Sequence, residues 1–139
     1  MSKVSIEDFN AIIASELPSA ADSGVYLRSI EPGKAEMVLP YSEHSLRPGG
    51  TIAGPFMMML ADVCMYAVVL SLLGEIKLAV TTSLNINFVR KPANTELVAR
   101  GSIIKLGKRL AVLEVSICSN DDIVAHATGT YSIPPTSGS

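Results

Sequence analysis

The distribution of apolar and polar residues is dominated by one long apolar run, residues 51–74, which contains a single charged residue, Asp62. Gly54-Pro55 near its start and Gly74 at its end are typical of helix boundaries. Proline at the first helical position loses no hydrogen bond, and glycine accepts the conformation that closes a helix. A helix that is apolar on nearly every side is usually wrapped by other elements of the same fold. The run therefore predicts a long buried helix.

A membrane span is the alternative interpretation of this run, because it is long enough to cross a bilayer. Asp62 would then lie near the midplane, where insertion scales assign a charged residue a cost of about +2.5 to +3.5 kcal/mol. The glycine and proline boundaries also fit a helix inside a globular domain. We therefore favour the buried helix and expect no membrane partner.

Alternation of apolar and polar residues predicts strands on both sides of this helix. Upstream, residues 24–30 and 34–40 flank the turn-forming sequence Glu31-Pro32-Gly33 and predict a hairpin. Downstream, residues 78–90 predict a long strand that ends before Pro92. Short turns then separate three more strands and predict an antiparallel meander over residues 95–106, 109–119 and 123–133.

The chain has 139 residues, which is enough for one domain with a hydrophobic core. An amphipathic helix is predicted from about Ile6 to Leu17, ahead of the hairpin. We divide the chain into an N-terminal helical segment, residues 1–20, a folded domain, residues 21–133, and a disordered tail, residues 134–139. The predicted fold class is α+β, with an antiparallel sheet curled around one long helix, because that arrangement buries both apolar partners at once.

Composition limits the partners that the protein can have. Apolar residues make up 48% and charged residues 17% of the chain, and the mean hydropathy is +0.38, which favours additional burial in a homo-oligomer. The formal net charge is -2, so no broad basic surface is expected for nucleic acid. The N-terminus lacks the continuous apolar stretch of a signal peptide, and the expected location is the cytoplasm.

The two cysteines, Cys64 and Cys118, are far apart and show no disulfide or metal-site spacing. We therefore expect reduced, buried thiols. Asp62 is a different case, since a lone carboxylate in an apolar segment loses hydration and has no basic neighbour in sequence. This isolation indicates that Asp62 is catalytic or lies against a cleft.

Three stretches of the sequence resemble one known family: Gly50 to Asp62, Val80 to Pro92 and Leu106 to Val112. They are similar to the hotdog-fold thioesterases of the phenylacetate-degradation (PaaI-like) type, over residues 24–133. The resemblance implies the hotdog fold and hydrolysis of an acyl-CoA thioester in a site shared between two subunits. It also implies a homo-oligomer, at least a dimer and by resemblance a tetramer built as a dimer of dimers, without a metal or a bound cofactor.

The family's catalytic positions correspond to three residues of this chain. Asp62 is implied as the general base or nucleophile. Gly54 lies eight residues earlier at the helix start, where free N–H groups and the positive end of the helix dipole can stabilise an oxyanion. Thr81 corresponds to a hydroxyl that orients the water and is expected from the partner subunit, with Thr82 and Ser83 as alternatives.

A CoA substrate carries phosphates, which require cations at the mouth of the site. The candidates, for which ordinary surface solubility is the alternative, are Arg47, Arg90, Lys91, Lys105, Lys108 and Arg109. Methionines on the helix are typical core residues, although some can line an acyl site. Phe56, Met58 and Tyr66 are the candidates on the helix for contacting the substrate.

The sequence departs from the family at two positions. A His-Gly-Gly motif is replaced by Ala53-Gly54-Pro55, and the usual Asn corresponds to Leu46 or Arg47. Pro55 also removes one backbone donor from the helix start.

The loss of the histidine keeps two alternatives open: a non-catalytic protein that binds acyl-CoA or an acyl carrier, and a hotdog dehydratase or hydratase. The second would need a histidine beside the carboxylate. His44 lies in the loop before the helix, and His126 is predicted on the polar face of a strand.

Overall fold

The computed structural model describes residues 1–42, 52, 54–75 and 79–135. The predicted helices and strands are all present in it, with boundaries shifted by a few residues. A short helix that was not predicted follows the first one and has Pro18 at its start. In chain order the elements are α1 Ile6–Glu16, α2 Pro18–Asp22, β1 Tyr26–Glu31, β2 Lys34–Leu39, α3 Gly54–Leu73, β3 Val80–Phe88, β4 Leu97–Leu106, β5 Leu110–Ser119 and β6 Asp122–Ser132.

The strands form one antiparallel sheet in the order β1-β2-β4-β5-β6-β3. The predicted meander of β4, β5 and β6 is confirmed. β3 lies on the far side of β6 and does not pair with β4. The connection from β3 to β4 spans residues 89–96 and contains Pro92, so it is not a tight turn that would force the two strands into a hairpin.

The long helix α3 packs against the concave face of this sheet. Its length and composition would suit a membrane span, but most of its side chains are buried inside the fold, as in the core helix of a globular domain. Leu60, Met65 and Leu70 are each fully buried. The predicted α+β architecture, the hotdog arrangement of a sheet around one central helix, is confirmed.

Two glycines in the sheet allow α3 to approach it closely. A Cβ on Gly101 would lie 2.8 Å from Sγ of Cys64, and one on Gly129 would lie 2.5 Å from Sδ of Met65. Cys64 and Cys118 are both free and buried, as predicted. Burial raises the pKa of the Cys64 thiol to about 12.

The two edge strands of the sheet, β1 and β3, differ in what packs beside them. On β1, the side-chain amide of Asn10 in α1 accepts a hydrogen bond from N–H of Leu27 and donates one to its carbonyl, so α1 covers this edge. On β3, the only neighbouring strand in the described sheet is β6. Val80 is 55% exposed and Phe88 50% exposed along this second edge. An uncovered strand edge is the usual place for pairing with another chain.

Candidate functional site

Asp62 lies half-buried on α3, and two hydroxyl groups hold one of its carboxylate oxygens. Oγ1 of Thr81 lies 2.6 Å from Oδ1, and the hydroxyl of Tyr131 lies 2.8 Å from the same atom. Among the described residues, none donates a hydrogen bond to Oδ2. The carboxylate is therefore fixed in orientation through Oδ1, and Oδ2 is left to act on a water or a substrate.

The position of Thr81 depends on an irregularity in β3. The pairing between β3 and β6 shifts register between Thr81 and Ser83, which makes Thr82 a bulge residue. A bulge changes which side chains face each side of a sheet. As a result, Thr81 faces α3 while Ser83 pairs with Thr130 on the outer face. The expectation that Thr81 acts from the partner subunit is wrong, because its hydroxyl reaches Asp62 of its own chain.

Tyr131 belongs to the site and was missed in the sequence. It lies on β6, is 3% exposed, and its hydroxyl is also 2.9 Å from the backbone carbonyl of Asp62. Burial raises the pKa of Tyr131, and the negative charge of Asp62 raises it further, so this hydroxyl remains a donor. The two-residue period of β6 could have revealed it, because Ala127, Gly129 and Tyr131 share the inward face of the strand.

A cavity of about 750 Å³ lies beside Asp62. Its walls come from α1 and the residue after it, from α3, from the start of β3 and from β6. Tyr66 lines it, as the sequence suggested for a substrate-contacting residue. The ring of Tyr66 is stacked on that of Tyr131, with centroids 6.2 Å apart and 13° between the planes. The carboxylate and its two hydroxyl partners therefore face a space with a largely apolar wall.

Gly54 is at the start of α3, eight residues before Asp62. At 1.5 Å of rise per residue, the two positions lie about 12 Å apart along the helix axis. A thioester carbonyl near Asp62 is therefore out of hydrogen-bonding reach of Gly54 in the same chain. Phe88, at the far end of β3, contacts the helix start: a Cβ on Gly54 would lie 3.3 Å from Cζ of its ring.

Other predicted substrate-contacting residues are not brought to Asp62. Phe56 is half-buried and Met58 is 40% exposed in the first turns of α3, and neither lines the cavity. Thr82 and Ser83 are exposed, and the Thr82 hydroxyl donates to the carbonyl of Thr130. Among the three adjacent hydroxyl residues, Thr81 is thus the one that faces the carboxylate.

The predicted cations lie in two groups at opposite ends of β3. Lys105, Lys108 and Arg109 belong to the β4–β5 hairpin, which is near the Val80 end because Ser132 pairs with both Val80 and Leu110. Arg109 donates from Nε to the carbonyl of Ile133.

Arg90 and Lys91 follow the other end of β3 and are exposed. Arg90 lies 3.6 Å from a carboxylate oxygen of Asp122. Arg47, His44 and Ala53 fall outside the described residues.

The described residues contain no group of three or more side chains suited to hold a metal ion. His126 is on the outer face of the sheet, where Nε2 lies 3.5 Å from Glu114, in agreement with its predicted place on a polar face. In the described part of the chain, no histidine contacts Asp62. The chemistry available around Asp62 is that of a carboxylate with hydroxyl partners.

Comparison with known proteins identifies the family. A family profile described as the thioesterase superfamily matches residues 49–126, more than half of the chain. A candidate esterase of Thermoplasma acidophilum is 28% identical over 116 residues, which cover 78% of this chain and 87% of that protein.

Solved structures agree with the profile. The structure of a candidate thioesterase of Silicibacter sp. TM1040 is 37% identical, with a TM-score of 0.87 and coverage of 97% of this chain and 95% of that one. The phenylacetic acid degradation protein PaaI of Thermus thermophilus, solved as a mutant, is 24% identical and shares the fold, with a TM-score of 0.76 and coverage of 84% and 99%. These matches confirm the resemblance that the sequence indicated, and the chain belongs to the thioesterase superfamily.

Proposed function

We propose that the protein hydrolyses acyl-CoA thioesters to a free acid and CoA, with Asp62 as the general base. The observation that carries this proposal is the asymmetric environment of the carboxylate. Two hydroxyls hold Oδ1, and Oδ2 has no donor among the described residues, beside a cavity of about 750 Å³. A positioned carboxylate of this kind is suited to take a proton from water.

The reaction follows from this geometry. Oδ2 of Asp62 accepts a proton while the water oxygen bonds to the thioester carbonyl carbon, which places negative charge on the carbonyl oxygen. When that oxyanion collapses, the carbon–sulfur bond breaks, and the leaving CoA thiolate takes up the proton that Asp62 accepted, which regenerates the carboxylate. Direct attack by Oδ2 on the carbonyl is the second route open to the same side chain.

The oxyanion needs hydrogen-bond donors, and the start of α3 carries free N–H groups. Since Gly54 of the same chain is about 12 Å from Asp62 along the helix axis, we expect a second copy of the chain to supply these donors. The outer edge of β3, which pairs with no other strand of the described sheet, supports this arrangement. Antiparallel pairing of two β3 strands about a two-fold axis would set the Thr81 end of one beside the Phe88 end of the other, and with it Gly54 of the partner subunit.

The same pairing supports the binding of CoA. It would bring Arg90 of the partner subunit towards the β4–β5 hairpin, which carries Lys105 and Lys108. Phosphates are bound well where several cations meet. A dimer is therefore the smallest unit that can carry a complete site, and a dimer of dimers and a cytoplasmic location remain part of the proposal.

A non-catalytic acyl-CoA-binding protein is the second candidate function. Two features of the helix start favour it: Pro55 lacks an N–H group, and the ring of Phe88 lies against Gly54. Both reduce the number of donors that can reach an oxyanion. Such a protein would bind acyl-CoA without turnover. The dehydratase or hydratase alternative needs a histidine beside the carboxylate, and His126, the histidine within the described part of the chain, lies on the outer face of the sheet.

Release of free CoA thiol from acyl-CoAs of different chain length tests the proposal. Asp62→Asn should lower kcat by about 100-fold or more, because general base catalysis contributes about that factor. Glu114→Gln is the matched control, as it neutralises a carboxylate on the outer face. If the wild type shows no turnover while acyl-CoA raises its melting temperature, the protein is the binding module instead.

A further inference from the structure

The cavity beside Asp62 has a wall that does not belong to the sheet or to α3. Ile12 of α1 and Leu17, which follows α1, line it together with Val63 and Tyr66 of α3. Ile12 is buried, and α1 is fixed in place by the fully buried Phe9, whose ring lies 5.8 Å from that of Tyr66. The N-terminal helix thus supplies one wall of the open cavity beside Asp62.

A smaller cavity of about 280 Å³ adjoins the first. Three residues line both spaces: Glu16, Leu17 and Val63. Met59, which is half-buried on α3, lines the smaller one. Glu16, Leu17 and Val63 therefore form a partition between the space at Asp62 and a second, more open space that α2 and α3 line.

We propose that the larger cavity holds the acyl group of the substrate, that this group is apolar and larger than acetyl, and that Leu17 sets its maximum length. This inference rests on the proposed function, because it places the thioester carbonyl at Asp62. The volume supports it, since about 750 Å³ lies in the range of pockets that enclose whole ligands and far exceeds an acetyl group. Aliphatic and aromatic side chains supply most of the wall, which suits a chain of methylene groups.

Leu17 is the residue to which the chain-length limit is assigned, for two reasons. It is partly buried at the junction of the two cavities. Its backbone N–H donates to Ile13 and its carbonyl accepts from Ala21, and a side-chain substitution leaves both bonds in place. Val63 shares the partition but directly follows Asp62, so substituting it would also disturb the carboxylate. A smaller side chain at position 17 should join the two cavities, and a larger one should shorten the cavity at Asp62.

Binding of straight-chain acyl-CoAs to Asp62→Asn tests the inference without turnover. Asparagine keeps a carbonyl oxygen that can accept from Thr81 and Tyr131, so the site should remain formed. Calorimetric titration should show the dissociation constant falling about fourfold for each added methylene, the value of one buried CH₂, until the cavity is full.

Substitutions at Leu17 in the same background decide the role of that residue. Leu17→Ala should move the plateau, the chain length at which affinity stops rising, to chains at least two carbons longer. At about fourfold per methylene, it should raise the affinity for a long chain relative to a short one by about 16-fold or more. Leu17→Phe should move the plateau to shorter chains. Ile6→Ala is the matched control, because Ile6, like Leu17, is a partly buried aliphatic residue of the N-terminal segment but lines neither cavity.

The outcomes separate this inference from the proposed function. Equal affinity for acetyl and longer acyl groups would overturn it, as would Leu17 variants with the same plateau as the Ile6 control. If the chain-length series and the Leu17 shift are observed but the wild type hydrolyses none of the same thioesters, the cavity is an acyl site and the proposed hydrolysis is wrong. Should Leu17→Phe fail to fold, Leu17→Ala alone decides.

Discussion

Tyr131 and Asp62 meet through a hydrogen bond of 2.8 Å although they are 69 positions apart in the chain. The contact joins β6 to the middle of α3, and Thr81 of β3 completes it at 2.6 Å. Three elements thus meet at one carboxylate oxygen. A hydroxyl that is buried and keeps its proton is a dependable donor, and this is the reason to assign Tyr131 a positioning role.

Replacing Tyr131 by Phe should lower kcat more than it changes KM, because the carboxylate loses one of the two donors that fix its orientation. We expect a decrease of about tenfold, together with a loss of stability of about 1.5 to 3 kcal/mol, the usual value for a hydrogen bond to a charged group. Steady-state kinetics and denaturant unfolding measure the two effects. Tyr26→Phe is the control, since Tyr26 is 41% exposed; equal effects in both variants would contradict the assignment.

Thr81 should contribute to catalysis through the hydrogen bond that its hydroxyl donates, and not through the shape of its side chain. Thr81→Val keeps the branched shape and removes the hydroxyl, so kcat should fall by about tenfold or more, while Thr81→Ser should retain most of the rate. Thr82→Val serves as the neighbouring control because the Thr82 hydroxyl donates to Thr130 on the sheet. A Thr82 variant more impaired than the Thr81 variant would shift the role to the bulge residue.

If two subunits share the site, two inactive variants should restore activity when they form a mixed dimer. Asp62→Asn and Gly54→Val should each be inactive as homo-oligomers, because the first loses the base and the second crowds the helix start against Phe88. When the two variants are unfolded and refolded together, about half of the dimers are mixed, and one of their two sites is intact. Activity should then recover to about a quarter of the wild-type rate. Absence of any recovery would show that one chain contains the whole site.

Stability should decrease at alkaline pH because of two buried groups. The pKa of Cys64 is raised by burial from 9.0 to about 12, and that of Tyr131 is raised from 10.0 by burial and by the charge of Asp62. Above the ordinary pKa of each group the unfolded chain loses a proton that the folded chain keeps. These two groups therefore leave the free energy of unfolding unchanged below about pH 9 and lower it as the pH rises further.

The contribution of the thiol can be isolated by comparing the wild type with Cys64→Ala in urea at several pH values. Between about pH 9 and 12 the wild type should lose up to about 1.4 kcal/mol more per pH unit than the variant. Cys118→Ala provides the control thiol, because it is the other buried cysteine. Parallel curves for the wild type and Cys64→Ala would contradict the assignment.

Much of the fold could be predicted because the signals are local. The boundaries of α3 follow from Gly54, Pro55 and Gly74, and the β4–β5–β6 meander follows from short turns. The pairing of β3 with β6 could not be predicted in this way, since a strand joined by a long connection can lie at either edge. α2 was missed because its five residues carry too short a pattern to reveal a helix.

Local sequence patterns were enough to predict the buried helix, the isolated carboxylate on it and the family to which both belong. Each of these depends on residues close together in the chain. Only the packed fold shows that Thr81 reaches Asp62 within one chain, that Tyr131 joins them, and that Ile12 and Leu17 line the adjoining cavity. Those relationships depend on a bulge, on strand order and on the docking of α1. They arise from packing between distant segments, which no local pattern encodes.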